Sequence, residues 1–262
     1  MKKRTLLLAC LLAGFAVAAS AAPYVILKGG RKIDGTRIRA TPDGTIILTT
    51  AAGNQEIPAG RYEKAVADKP AELDAALRAV QGQKWDEAIP ALEKIAKAYR
   101  YLDWDLVAQK YLAEAQMKKG DAEAAVRTYA ALIAASEEEK NNVDTQWGYR
   151  KALLAAKQYA ALTRQLDIVV ASGSRIEAAK AQNMRGEIEL QQNNLEAALL
   201  EFLRTDLLFA DCKDPQVLGE ACFRAAQVLE KLRDPRANDM YRKVASEYRS
   251  CSFANEAASK AR

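Results

Sequence analysis

A turn followed by a helix start recurs along this 262-residue chain, and its spacing constrains the fold more than any other feature. Five such segments end at positions 88, 125, 162, 198 and 237, which are separated by 37, 37, 36 and 39 residues. Four residues after each end stands a large apolar residue: Leu92, Tyr129, Leu166, Phe202 and Tyr241. Residues four apart share one face of a helix, and such a face needs a neighbour to cover it. The period therefore predicts stacked helix pairs, with second helices starting near Trp85, Ala122, Tyr159, Leu195 and Pro235.

Alanine supplies much of the apolar surface in this helical region. Half of all residues are hydrophobic but only 7% are aromatic. The last residue of four of the five segments is a small one: Ala88, Ala125, Ala198 and Ala237. Small residues let helices approach closely, so the composition favours a tightly stacked array.

These positions resemble the tetratricopeptide repeat (TPR) family. Gly120-Asp121 with Ala125 and Tyr129 matches the family's Gly, Ala and aromatic positions, and Met184-Arg185-Gly186-Glu187 with Ala198 and Phe202 matches again. The likeness spans roughly residues 70 to 250, at a spacing longer than the family's period of about 34. The third repeat has Lys157 and Leu162 where the consensus has Gly and Ala. The resemblance implies a mostly α fold, a TPR-like superhelical solenoid of about five helical hairpins over residues 67–262.

Residues 22–66 have a different pattern, typical of a small β-module. Tyr24–Leu27, Arg37–Arg39 and Thr45–Thr50 are β-type runs, separated by turn signals at Gly29-Gly30 and Asp43-Gly44. They predict an SH3-like antiparallel module that leans on the first helices. Residues 23–62 hold six basic and three acidic residues. This charge fits a solvated sheet face, and the alternative is a site for an anionic cell-wall or surface polymer.

The N-terminus, residues 1–21, has the pattern of a signal peptide. Lys2, Lys3 and Arg4 precede an apolar run, and Ala19-Ser20-Ala21 supplies a cleavage site before Ala22. The alternative, a membrane anchor, needs about 20 apolar residues, more than this run has. The pattern predicts export to the periplasm or the medium, with no stable transmembrane segment after cleavage. Without the three leader cations, 36 basic residues face 34 acidic ones, which argues against a nucleic-acid partner.

Residues with specific catalytic or metal-binding patterns are missing from the sequence. There is no histidine, so Ser-His-Asp and Cys-His nucleophile systems and imidazole metal sites are excluded. The acidic run Glu137–Lys140 is interpreted as a solvated linker. We therefore expect a non-enzymatic protein without cofactor or metal, which binds a protein or peptide partner.

The resemblance also implies where a partner would bind, on the concave face lined by the first helix of each pair. The family's groove positions correspond to Lys110, Glu114, Lys118, Trp147, Lys151, Lys180, Asn183, Glu187, Phe223 and Gln227. Trp147 and Phe223 would be aromatic anchors, the kind of residue that dominates binding energy. The alternative makes both of them core residues, and for Phe223 the core is favoured.

Two functions remain open at this level. The first is an interaction scaffold or adaptor of the cell envelope. The second is an accessory subunit of an envelope or cell-wall enzyme complex, with catalysis elsewhere. An autonomous enzyme is the least favoured class.

Three cysteines follow the predicted cleavage site: Cys212, Cys222 and Cys251. Cys212 and Cys251 lie 14 residues past Ala198 and Ala237, the ends of the fourth and fifth repeated segments. They therefore occupy equivalent points of neighbouring hairpins. Such points lie about 10 Å apart, whereas a disulfide needs Cα atoms within about 7 Å. Reduced thiols are therefore expected, with Cys212–Cys251 the one pairing to consider.

Overall fold

A computed structural model describes residues 22–261 of the chain. The predicted signal peptide, residues 1–21, lies outside the described residues. The chain divides into two compact units, one up to Ala115 and one from Gln116 onward. Within the described residues the structure is mostly helical, with a small antiparallel β-module at its start.

The β-module contains two three-stranded antiparallel sheets. Its strands are β1 (Tyr24–Leu27), β2 (Lys32–Asp34), β3 (Arg37–Ala40), β4 (Ile46–Thr50), β5 (Gly53–Ile57) and β6 (Tyr62–Val66). The strand orders are β2-β1-β6 and β3-β4-β5. The core between them is made by Val25, Ile46, Leu48, Ile57 and Ala65, all buried. Ile46 and Leu48 alternate with less buried neighbours along β4, the period-two pattern of a strand with one covered face.

The predicted second run, Arg37–Arg39, is strand β3, and an additional short strand, β2, precedes it on the other side of Gly35. A Cβ on Gly35 would lie 2.5 Å from Leu48 Cδ1 and 2.8 Å from the Thr49 carbonyl oxygen. Only glycine allows the chain to pass so close to β4. The sixth strand was not predicted, because its sequence, Tyr62-Glu63-Lys64-Ala65-Val66, has a weak apolar pattern and its pairing with β1 is long-range.

Three helices follow in the first unit: α1 (Leu73–Gln81), α2 (Trp85–Ala98) and α3 (Trp104–Lys119), the last of which continues into the second unit. The module leans on these helices, as expected. Leu102, just before α3, is part of the β-module core. The Trp104 indole Nε1–H donates to the Ala67 carbonyl oxygen at 2.8 Å, which ties α3 to the end of β6.

The second unit is helical. Its helices are α4 (Ala122–Ala135), α5 (Glu137–Asn141), α6 (Val143–Ala155), α7 (Tyr159–Ser172), α8 (Arg175–Gln191), α9 (Leu195–Leu208), α10 (Pro215–Lys231), α11 (Ala237–Glu247) and α12 (Ala254–Lys260). A 3-10 turn, Ala210–Cys212, links α9 to α10. From α6 to α12 each helix packs on its neighbour in the chain, and α8 also packs on α10. The expected linker at Glu137–Lys140 is instead the short helix α5, capped by the Ser136 hydroxyl.

One turn is repeated at the end of five helices. In each case a residue with positive φ closes the helix: Gln83, Gly120, Lys157, Asn193 and Arg233. The amide of the next residue donates to the carbonyl five residues back, for example Lys84 to Ala79 and Gln158 to Leu153, both at 2.9 Å. This is the hydrogen bond that defines a Schellman cap. The repeat therefore exists as backbone geometry even where the sequence lacks the consensus glycine.

The predicted positions of the second helices are confirmed. Helices begin at Trp85, Ala122, Tyr159 and Leu195, and the fifth, α11, begins at Ala237, two residues after the predicted Pro235. The five large apolar residues that stand four positions after the ends of the repeated segments are at most 5% exposed: Leu92, Tyr129, Leu166, Phe202 and Tyr241. In the described part of the chain no strand lies between residues 70 and 250, and no helix is long and apolar enough to cross a membrane.

Candidate functional site

One face of the second unit gathers aromatic and charged side chains from α6, α8 and α10. Trp147 and Lys151 come from α6, Lys180 and Glu187 from α8, and Gln227 from α10. Each of these predicted site residues is partly or fully exposed. We refer to this surface as the α6–α8–α10 face.

Trp147 is the aromatic centre of the face and is half-buried. Its indole Nε1–H donates to the Glu177 carboxylate on α8. Glu177 also accepts a hydrogen bond at 2.9 Å from Lys180, one helical turn further along. The Lys180 ammonium lies 5.8 Å from the centre of the Trp147 ring, within cation–π range. The ring is therefore held in one orientation while part of its surface stays open.

Arg150 lies one turn after Trp147 and carries a buried charge. Its guanidinium lies 4.9 Å from the centre of the indole ring, and the residue is only 9% exposed. Within the described residues its Nε has no hydrogen-bond partner, and its Nη2 makes a long bond of 3.5 Å to Gln146. Burial lowers the pKa of Arg150, and the Glu177 carboxylate opposes this effect. A guanidinium buried to this extent is not open to a partner, and its contribution to the face is the contact with the indole ring.

The second half of the face is an acidic pair with a cation beside it. Arg224 of α10 forms an ion pair with Glu187 of α8, with 2.8 Å between Nε and Oε1. Burial raises the pKa of Glu187, and Arg224 opposes it. Burial likewise raises the pKa of Glu220 on α10, Arg224 and Lys151 lower it, and Glu187 raises it further. The Trp147–Glu177 hydrogen bond between α6 and α8 and the Glu187–Arg224 ion pair between α8 and α10 join the three helices at this face.

Two predicted contact residues are buried. Phe223 is 1% exposed, stacks on Phe253 with 4.7 Å between ring centres, and packs edge-on against Tyr241. The core alternative for Phe223 is therefore confirmed. Asn183 is 6% exposed, and its Nδ2 donates to the Val217 carbonyl oxygen at 2.9 Å, which joins α8 to α10. Neither side chain is open to a partner.

The remaining predicted residues are on α3 and α10. Lys110 is half-buried, and Glu114 and Lys118 are exposed. All three are on α3 and so are not part of the α6–α8–α10 face. Gln227 is half-buried, and its Oε1 accepts a hydrogen bond from Arg224 at 2.9 Å.

Four residues of the face were missed by sequence reasoning: Arg150, Glu177, Glu220 and Arg224. Helical spacing gave a usable signal, since each lies three or four residues from a predicted site residue or from another member of the group. The family's groove positions do not include these four, and side-chain burial, which is strongest at Arg150, is not visible in a single sequence.

The three cysteines in the described residues are free thiols, two buried and one half-buried. Burial and the nearby Asp206 carboxylate raise the pKa of Cys222, and burial raises that of Cys251. Such thiols are poor nucleophiles because the thiolate is the reactive form. Within residues 22–261 no group of three or more Cys, Asp or Glu side chains is arranged to hold a metal ion.

Comparison with protein-family models finds no match for this chain, and a search of curated proteins finds no similar one.

Proposed function

We propose that this protein is an exported, TPR-like interaction scaffold that binds a protein or peptide of the cell envelope on its α6–α8–α10 face. The TPR-like solenoid and the export rest on the sequence pattern, namely the repeat positions and the N-terminal leader. The binding surface rests on side-chain geometry in the second unit.

The observation that carries the proposal is the setting of Trp147. An indole ring that is fixed by Glu177 and remains partly open loses little entropy when a partner packs on it. Trp is one of the residues that most often dominate binding energy, and the buried Arg150 packs beside the ring. Lys151 is exposed at the rim, while Glu187 and Glu220 supply negative charge on the same face. A peptide with an apolar side chain for Trp147 and a carboxylate for the exposed Lys151 matches this face.

The test compares two double variants in affinity capture from envelope extracts. Trp147→Ala with Lys151→Ala should reduce capture of the main partner at least about tenfold, as expected for loss of a hot-spot tryptophan. The matched control is Lys157→Ala with Tyr159→Ala, which also removes a lysine and an aromatic ring, but at the start of α7.

Circular dichroism decides how a loss of capture is interpreted. Capture lost with helical content retained supports the face. Unfolding of the variant would show that Trp147 is a core residue, and unchanged capture would place the binding surface elsewhere. One such surface is the exposed row of Leu200, Leu207 and Leu208 on α9.

A further inference from the structure

A separate groove lies in the β-module, between the two sheets. Its volume is about 620 Å³, and its lining includes Leu27, Lys28, Arg31, Ile33, Ile57 and Arg61. The lining combines an apolar floor with a cationic rim, and Glu56 is the one acidic residue that contributes to it.

The three cations of the rim have no carboxylate partner among residues 22–261, although all three are exposed on a small module. Two other cations of the module are paired, Lys32 with Asp34 at 2.7 Å and Lys64 with Asp103 at 2.9 Å, whereas Arg37 and Arg39 on β3 are exposed outside the groove. The backbone holds the rim together, because the Lys28 amide donates to the Arg61 carbonyl at 3.1 Å and the Leu27 amide to the Arg31 carbonyl at 2.9 Å. Three like charges gathered in this way attract an anionic ligand.

The apolar floor of the groove favours an anionic ligand that also carries apolar groups. Ile57 is 6% exposed, and Leu27 and Ile33 are half-buried beside it. A polymer of phosphates or carboxylates has no apolar groups to place on this floor. A peptide that alternates acidic and apolar side chains satisfies both the rim and the floor, since neighbouring residues of an extended chain point to opposite sides.

Strand β5 adds a backbone feature that favours an extended peptide. It is one of the two edge strands of its sheet, as β2 is of the other, and both contribute residues to the groove. In the described structure β5 pairs with β4 on one side only. An edge strand presents unpaired N–H and C=O groups, to which an added strand can bind.

We propose that the groove of the β-module binds an extended acidic peptide with apolar side chains, which pairs along β5. This site is distinct from the α6–α8–α10 face, and the proposal does not depend on the function proposed for that face.

The test uses the full chain and a fluorescein-labelled octapeptide of alternating Glu and Val, followed by fluorescence anisotropy. Arg31→Gln with Arg61→Gln should weaken binding by about tenfold, because two charged contacts are lost. The matched control is Arg37→Gln with Arg39→Gln, which removes the same charge from exposed positions on β3 outside the groove lining. This control should change the dissociation constant by less than about twofold. The single variant Lys28→Gln gives a second measure of the rim should the double variant unfold, and it should also weaken binding.

Three outcomes would overturn the proposal. The first is equal weakening by both double variants, which indicates only general charge attraction. The second is binding of poly-glutamate of the same net charge as tightly as the Glu-Val peptide, which assigns the groove to a polyanion. The third is absence of binding at millimolar peptide. Two versions of the peptide, one N-methylated at the odd and one at the even backbone amides, test the strand pairing. One of the two should bind at least about tenfold more weakly than the unmethylated peptide.

Discussion

The ring of Phe202 on α9 lies directly against the backbone of Gly186 on α8. A Cβ at Gly186 would lie 2.6 Å from Phe202 Cε1 and 2.7 Å from Cδ1. Phe202 is fully buried, so its ring has no space in which to withdraw. The absence of one methyl group at position 186 thus sets how closely these two helices pack.

Replacement of Gly186 by alanine should lower the free energy of unfolding by about 1–3 kcal/mol, the usual range for overpacking. Urea denaturation followed by circular dichroism measures this change. In a Phe202→Leu background the same substitution should cost less, because the ring is gone. Helix propensity alone predicts that alanine stabilises the helix by up to about 1 kcal/mol. A gain in stability would therefore show that the contact does not constrain the packing.

Lys157 should be a site where a glycine stabilises the protein. It closes α6 with a φ of +56°, a conformation that is costly for any residue with a Cβ. Lys157→Gly should raise the free energy of unfolding by about 0.5–1 kcal/mol, since glycine is preferred at this cap position. Lys157→Ala is the control, because it removes the same side chain and keeps the Cβ. Equal effects of the two substitutions would exclude relief of backbone strain as the cause.

Glu220 should make stability depend on pH in the opposite direction to an ion-paired carboxylate. Burial raises its folded-state pKa above the ordinary value of 4.5, so the folded state holds this proton more tightly than the unfolded state. The contribution to stability is present below 4.5 and is lost as the pH rises through the raised pKa.

The Glu220→Gln variant should therefore be more stable than the parent at pH 7, and the difference should shrink towards pH 4. Urea unfolding of both proteins across this range provides the measurement. Asp105, whose pKa burial also raises, is present in both chains and cancels in the difference. A difference that grows as the pH falls would indicate that Glu220 is stabilised as a carboxylate.

The thiols of the native protein should react in a set order. Cys212 is half-buried, whereas Cys222 is fully buried and Cys251 is 5% exposed. Iodoacetamide at pH 8 should label Cys212 first, and denaturant without reductant should expose all three to labelling. Mass spectrometry counts the labels. Labelling of Cys222 alone in denaturant would show that Cys212 and Cys251 are joined by a disulfide.

The sequence by itself determined where the second helices begin. In each repeat a turn, a helix start and a large apolar residue follow one another within a few positions. Such short-range patterns depend on local backbone geometry. It also determined the β-module, through β-type runs and glycine turns such as Gly29-Gly30. Of the residues that the resemblance selected, Trp147, Lys151, Lys180 and Glu187 are partly or fully exposed on α6 and α8.

Tertiary structure decided the features that depend on residues far apart in the chain. Strand β6 forms because Tyr62–Val66 pairs with β1, whose residues lie almost 40 positions earlier. Phe223 and Trp147 are both aromatic residues of first helices, yet one is closed over by Phe253 and Tyr241 and the other stays partly open beside Glu177. Helical periodicity places a residue on a face, but only the neighbouring helices determine whether that face is covered.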